Sequence, residues 1–327
     1  MFQSKEHFFD DQPFRARTFD AGQAEREVVF GDVPPGEYIV TVHHDDNADG
    51  RRNTNANGVP TESTAFALPG GSTLLNMSLN EATFAFTNES GRAIATLSAP
   101  PAPPQEWGVG VMGIVSDSPY RGADTETKAI PFLSFVGERF TLIGPRAGYN
   151  LRRDGPLAVN AVASFEFEEE AFEDSRDLEG MDKRRETVMA GLDASLRFLD
   201  RWRMEGSILT DVFGRHDGQE VTVSVTRLFR YPDFFISPGA GLAWHSSDYN
   251  NYYFGVDDNE ARPGRPPYQP GAGVDAFLQL FARYEISDDW SVVANARLTR
   301  LADDVTDSPI VEDDTSLSVL AGLGYTF

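Results

Sequence analysis

From Thr187 to Phe198 the chain alternates without a break. Val188, Ala190, Leu192, Ala194, Leu196 and Phe198 occupy one set of positions, and Thr187, Met189, Gly191, Asp193, Ser195 and Arg197 the other. A period of two places successive side chains on opposite faces of a strand, whereas a helix would scatter both sets around its axis. One face suits lipid and the other suits water. The pattern recurs in residues 157–168 (Asn160, Ser164, Glu166 and Glu168 polar) and in residues 274–285 (Asp275, Gln279, Arg283 and Glu285). It appears again in residues 290–299 (Ser291, Asn295 and Arg297) and at the end of the chain, where Leu317, Val319, Ala321, Leu323, Tyr325 and Phe327 share a face. Strands of about 10 to 12 residues exceed the usual 5 or 6 of soluble sheets and match what a tilted strand needs to cross a bilayer. A soluble antiparallel sandwich also alternates, since one of its faces is solvated. Strand length and the aromatic strand ends Trp107, Trp202, Tyr231, Trp244, Tyr252, Trp290 and Tyr325, which suit interfacial girdles, favour an all-β, antiparallel transmembrane β-barrel.

The connections set its topology. Leu199-Asp200-Arg201, Tyr231-Pro232-Asp233 and Ser287-Asp288-Asp289 are tight turns, while residues 169–186, 246–271 and 302–314 are long. Short turns belong on the periplasmic side and long loops outside. Counting back from a periplasmic carboxyl terminus, the parity holds to the strand at Leu157. It then requires residues 139–151 to be two short strands, with Pro145 as the break, giving about 12 strands.

Residues 1–97 differ in texture. Short β-like runs at 27–30, 37–43, 73–79 and 83–86 are separated by the turn chemistry of Pro34-Pro35-Gly36, Asp49-Gly50, Pro69-Gly70-Gly71 and Ser90-Gly91, which predicts a small β-sandwich. Residues 98–106, containing Pro100, Pro101, Pro103 and Pro104, form a stiff linker in which no sheet ladder continues. The expected organisation is a periplasmic sandwich over 1–97, the linker, and the barrel over 107–327.

Composition removes several function classes. A formal net charge of -23 opposes nucleic-acid binding, because phosphate would be repelled. The absence of cysteine removes disulfides and thiolate metal sites. No apolar run reaches the roughly 18 residues a membrane helix requires.

The sharpest local motif is residues 45–53. Asp45, Asn47, Asp49, the Arg51 carbonyl and Asn53 stand at positions one, three, five, seven and nine of a calcium loop, with Gly50 at six. Position twelve is Ala56, without the bidentate carboxylate, so Ca2+ competes with a plain solvated Asx-turn loop. Of the five histidines, His43 and His44 face opposite sides of a strand, while His216 lies in a short loop and His245 precedes Ser246, Ser247 and Asp248. A Ser/His/Asp hydrolase needs such groups at hydrogen-bond distance across strands, which adjacency in sequence does not supply; no catalytic residue is assigned. The lumen-facing charges Glu166, Asp193, Arg197, Arg203, Glu205, Asp211, Asp275, Arg283, Glu285 and Arg297 either line a water-filled pore or pair across strands. The acidic run around Glu168, Glu169, Glu170, Glu173, Asp174 and Asp177 reads as a solvated outer loop, with divalent-cation or lipopolysaccharide bridging as the alternative.

Several stretches resemble the MipA/OmpV family of outer-membrane proteins. They are Gly108-Val109-Gly110-Val111, Ser118-Pro119-Tyr120-Arg121-Gly122-Ala123-Asp124, Tyr252-Tyr253-Phe254-Gly255-Val256, Tyr268-Gln269-Pro270-Gly271-Ala272-Gly273, Ser308-Pro309-Ile310-Val311 and the closing Ala321-Gly322-Leu323-Gly324-Tyr325-Thr326-Phe327. The resemblance implies an outer-membrane barrel that serves as a scaffold linking a lytic transglycosylase to a peptidoglycan synthase. Residues 33–45, 47–53 and 58–62 resemble a small secreted β-sandwich family of unknown function whose members begin with another strand after a signal peptide. The expectation is that the natural start lies upstream of Met1, and a genome without in-frame signal-peptide codons there would contradict it. The chain thus reads as a non-enzymatic cell-envelope scaffold in contact with outer-membrane lipid and lipopolysaccharide. A small-solute channel is the second reading and an outer-membrane hydrolase the third.

Overall fold

The computed structural model describes residues 106–327 apart from 138, 153–156, 168–170, 199–200, 232–233 and 288. Ahead of them it describes 1–3, 7–8, 13–20, 22, 25–45, 62–68, 82–87 and 92–97. The linker at 98–105, most of the candidate calcium loop (Asn47, Asp49, Arg51 and Asn53), the run at 73–79 and Glu168 to Glu170 lie outside the described residues.

The amino-terminal unit holds a three-stranded antiparallel sheet in the order β2-β1-β3, with β1 spanning Gly36–His43, β2 Thr64–Ala67 and β3 Thr83–Phe86. Its apolar alternation buries Ile39 with Phe2 and Phe8, and Phe66 packs on that cluster. Tyr38 is buried too, and its hydroxyl donates to the Pro34 carbonyl at 2.7 Å, tying the strand to the Pro-Pro-Gly turn before it. The expected strands at 37–43 and 83–86 are present. Residues 27–30 are not: Val29 is 69% exposed, and with no partner ladder an isolated alternating run gains nothing from extension.

The second unit is one sheet closed on itself. Its strands are β4 (Glu106–Ser116), β5 (Glu126–Val136), β6 (Phe140–Ile143), β7 (Arg146–Arg152), β8 (Leu157–Glu166), β9 (Thr187–Phe198), β10 (Trp202–Asp211), β11 (Gln219–Arg227), β12 (Phe229–Arg230), β13 (Phe234–His245), β14 (Gly273–Glu285), β15 (Trp290–Arg300) and β16 (Thr315–Thr326). Neighbours in sequence pair antiparallel, β16 pairs with β4, and β11 pairs directly with β13 to complete the ring. The two-residue β12 is an appendage of β13, so the wall is a closed barrel of 12 strands. The parity argument is met where it was most demanding. Gly144 at φ +55° and Pro145 turn the chain between β6 and β7, since glycine accepts the left-handed conformation and proline cannot continue a ladder.

Register decides which side chains face lipid. Val111, Ile208, Leu242, Val274, Leu278 and Leu323 are 64, 55, 54, 51, 59 and 44% exposed on the outer surface. A continuous apolar belt of this kind on a closed barrel belongs in a bilayer rather than in water. Aromatic side chains gather at the end carrying the short turns: Trp107 lies 4.6 Å from Phe135, and Trp290 5.1 Å from Tyr325, between ring centroids. Tyr252 does not join a girdle. It sits in a helix at the opposite end, because the residues after His245 satisfy their backbone as a helix instead of extending the strand.

Candidate functional site

The long connections fold together over the barrel mouth. Ser246 ends β13 as a helix cap: its Oγ accepts from the Tyr249 amide at 3.3 Å and from the Gln219 amide at 3.0 Å. The helix α2 (Ser247–Phe254) follows, and Asn250 on it is buried, donating from Nδ2 to the Gly271 carbonyl at 2.8 Å. Tyr249 stacks on His245, with ring centroids 4.4 Å apart, and meets His216 edge-on at 5.3 Å. Tyr253 donates to Glu166 at 3.2 Å, tying the helix to the end of β8. Burial and the nearby Glu166 carboxylate hold the Tyr249 phenol well above the usual range, so it is neutral.

Beyond this helix the other loops add a hydrophobic core of their own. Short helices α1 (Ala171–Asp174) and α3 (Asp303–Thr306) bring Phe172 and Val305 to Tyr120, Leu178, Val256 and Ile310. Each such buried apolar side chain contributes about 1.5–3 kcal/mol relative to exposure. Polar ties close the loops on one another. The Tyr120 hydroxyl donates to the Tyr253 carbonyl at 3.1 Å, Ser308 to that of Phe254 at 2.7 Å, and Tyr268 to that of Asp304 at 2.7 Å. Arg265 donates to the carbonyls of Asp177 and Glu260. Glu260, itself buried, accepts from the amides of Asp182 and Asp257 and faces Arg184 at 3.6 Å. Asp177 of the acidic run is exposed, as expected, but its segment is not a plain solvated loop. Phe172, Leu178 and Met181 are interspersed among the acids and pull the segment into the cap.

Beneath the cap some of the lumen-facing charges pair across strands. Arg146 reaches Asp193 at 2.8 Å, and Asp193 also accepts from Asn160 at 2.6 Å. His245 lies between Glu220 (3.2 Å) and Asp275 (3.4 Å). Both imidazole nitrogens thus face carboxylates, and the neighbouring Ser246 hydroxyl is occupied in capping. The arrangement orders three strands and places no serine nucleophile on His245. Among the described residues, no set of three His, Asp or Glu converges as a metal site. Asp211 collects the loop 212–218: Thr187 Oγ1 donates to it at 2.5 Å, and the amides of Phe213, His216 and Asp217 at 3.0, 2.7 and 3.1 Å.

The stretches that carried the family resemblance are largely the cap itself. Tyr120 bridges Val311, and Val256 bridges Tyr268. Tyr249, Glu260, Arg184 and Arg265 were missed as a group in the sequence. The available signal was the high content of tyrosine and buried-type apolar residues inside connections too long to be simple loops.

Both units match known protein families. The family model described as MltA-interacting protein MipA matches residues 109–327, and one described as an uncharacterized protein conserved in bacteria (DUF2141) matches residues 1–93. The MltA-interacting protein of Escherichia coli strain K12 is 32% identical over 225 residues, covering 67% of this chain and 88% of that protein. Outer membrane protein OmpV of Vibrio cholerae is 34% identical over 154 residues, 46% of this chain and 58% of its own length. Among solved structures, an outer membrane channel from Pseudomonas putida F1 aligns with 68% of this chain and 95% of its own, at 12% identity and a TM-score of 0.36. The chain belongs to the MipA family and is an outer-membrane β-barrel.

Proposed function

We infer that this protein is a non-enzymatic scaffold of the cell envelope, anchored by its barrel and presenting residues 1–97 to the periplasm, where it gathers a lytic transglycosylase and a peptidoglycan synthase. The observation that supports this reading is the cap: four loops pack on a common apolar core at the mouth, where a solute channel would need an open axial route. The name of the Escherichia coli relative, MltA-interacting protein, supports a murein transglycosylase as partner. A small-solute channel is the second reading, favoured by the polar lumen around Asn160 and Asp193.

Partner capture tests the first reading. Tagged full-length protein in native outer membranes, cross-linked with a short amine-reactive reagent and purified, is expected to retain a periplasmic lytic transglycosylase. Recovery of folded barrel with no murein enzyme above the level of an unrelated tagged barrel would contradict it.

A further inference from the structure

Among the described residues, the barrel wall is not hydrogen-bonded over its whole height. β6 pairs with β5 only through Ser134, Phe135 and Val136, and the ladder ends where the Gly144 amide donates to the Leu133 carbonyl at 3.0 Å. In antiparallel pairing the residues that exchange both bonds alternate along the strand. Gly137 and Leu133 point their backbone groups at β6, so those of Pro131, Ala129 and Thr127 point the same way, above the β6–β7 turn and beyond the last β6 residue. β5 meanwhile stays paired with β4 up to Glu126. The result is a notch in the wall, in the half nearer the long loops and hence in the outer leaflet.

Pro131 fits this edge. Its missing N–H falls on the unpaired side, which is where a strand tolerates proline. The same residue makes the edge a poor template for strand addition by another protein, because the new ladder would lack a donor midway. Unsatisfied backbone groups facing hydrocarbon cost several kcal/mol each, so the Thr127 and Ala129 amides need an oxygen partner, and the described strands supply none on that side. Behind the edge the lumen-facing residues of β5 and β4 include Ile130, Phe132, Met112 and Ile114, an apolar patch on the inner wall. Phe132 lies against Gly144 at the base of the notch.

We propose that this notch is a lateral binding site for the acyl chain of an outer-leaflet amphiphile. The chain passes between upper β5 and the β6–β7 turn to lie on Ile130 and Phe132, while ester or headgroup oxygens accept from the Thr127 and Ala129 amides. The cap folds over the mouth, whereas the notch opens the patch directly to the membrane. The inference does not depend on the scaffold reading.

Photo-cross-linking in phosphatidylcholine vesicles tests it. Benzoylphenylalanine is placed singly at positions 130, 132, 133 and 279 of the full chain, with folding checked by the heat-dependent gel shift. Leu133 faces lipid and is the reference; Gln279 faces the lumen from a strand paired on both sides. Lipid adducts at 130 or 132 of the same order as at 133, with 279 about tenfold lower, are expected for lateral access. Adducts at both 130 and 132 no higher than at 279 would overturn the proposal.

Discussion

Replacing Glu260 with alanine is expected to raise trypsin cleavage at Lys183, Arg184 and Arg185 about a hundredfold in vesicles that expose the long loops. Glu260 is 4% exposed and joins two connections, accepting from Asp182 at 2.8 Å and Asp257 at 3.1 Å and facing the buried Arg184 guanidinium. Removing one partner of a buried pair leaves a charge without compensation, at a cost of about 3–5 kcal/mol. Arg184 keeps its place over the Phe172 ring at 4.5 Å and its bond to the Asp182 carbonyl, so the lower end applies. About 3 kcal/mol increases the open population of the cap by roughly two orders of magnitude, and cleavage that samples the open form follows that population. Glu260→Gln retains an acceptor and should recover part of the loss. Unchanged cleavage in Glu260→Ala would mean that the cap does not depend on this junction.

Asp211→Ala is expected to lower stability against urea by about 3 kcal/mol, with the loosening centred on residues 212–218. Four donors converge on this carboxylate, and the turn it holds contains Gly214 at φ +65° and Asp217 at φ +52°, conformations that need support. A buried donor left unmatched costs about 1–3 kcal/mol, reduced where water can replace the acid. The loop also has a pH signature. Burial, against the opposing pull of Asp211 and Asp217, lowers the His216 pKa below its ordinary 6.5, and Nδ1 of the neutral ring accepts from the Gly218 amide at 2.9 Å. A group that binds its proton less readily folded than unfolded contributes stability above the unfolded value and loses it progressively as pH falls below 6.5. Protection factors in 212–218, taken relative to intrinsic exchange at each pH, should therefore fall on acidification in the unaltered protein and already be low at neutral pH in Asp211→Ala. Protection that persists in the variant would contradict the role given to Asp211.

The barrel was legible because alternation is dictated by lipid on one side and water on the other. The strands at 187–198, 274–285 and 290–299 matched within one residue, and the odd count before Leu157 pointed to the turn at Pro145. The cap was not legible as a body. Its core joins Tyr120, Phe172, Val256 and Ile310 from four separate connections, and no local period links residues so far apart in sequence. Residues such as Glu260 and Arg265 looked like ordinary loop charges; their roles follow from main-chain groups brought to them by folding. His245 was recognised as a candidate, but the carboxylates on either side of it arrive from β11 and β14 through register alone.

Single-channel recording of the full-length chain in planar bilayers tests the closed mouth most directly. Folded protein, verified by its gel shift, should insert without reproducible conductance steps, and Glu260→Ala should begin to show them. Steady open steps from the unaltered protein would contradict a sealed cap and make the polar lumen a solute pathway.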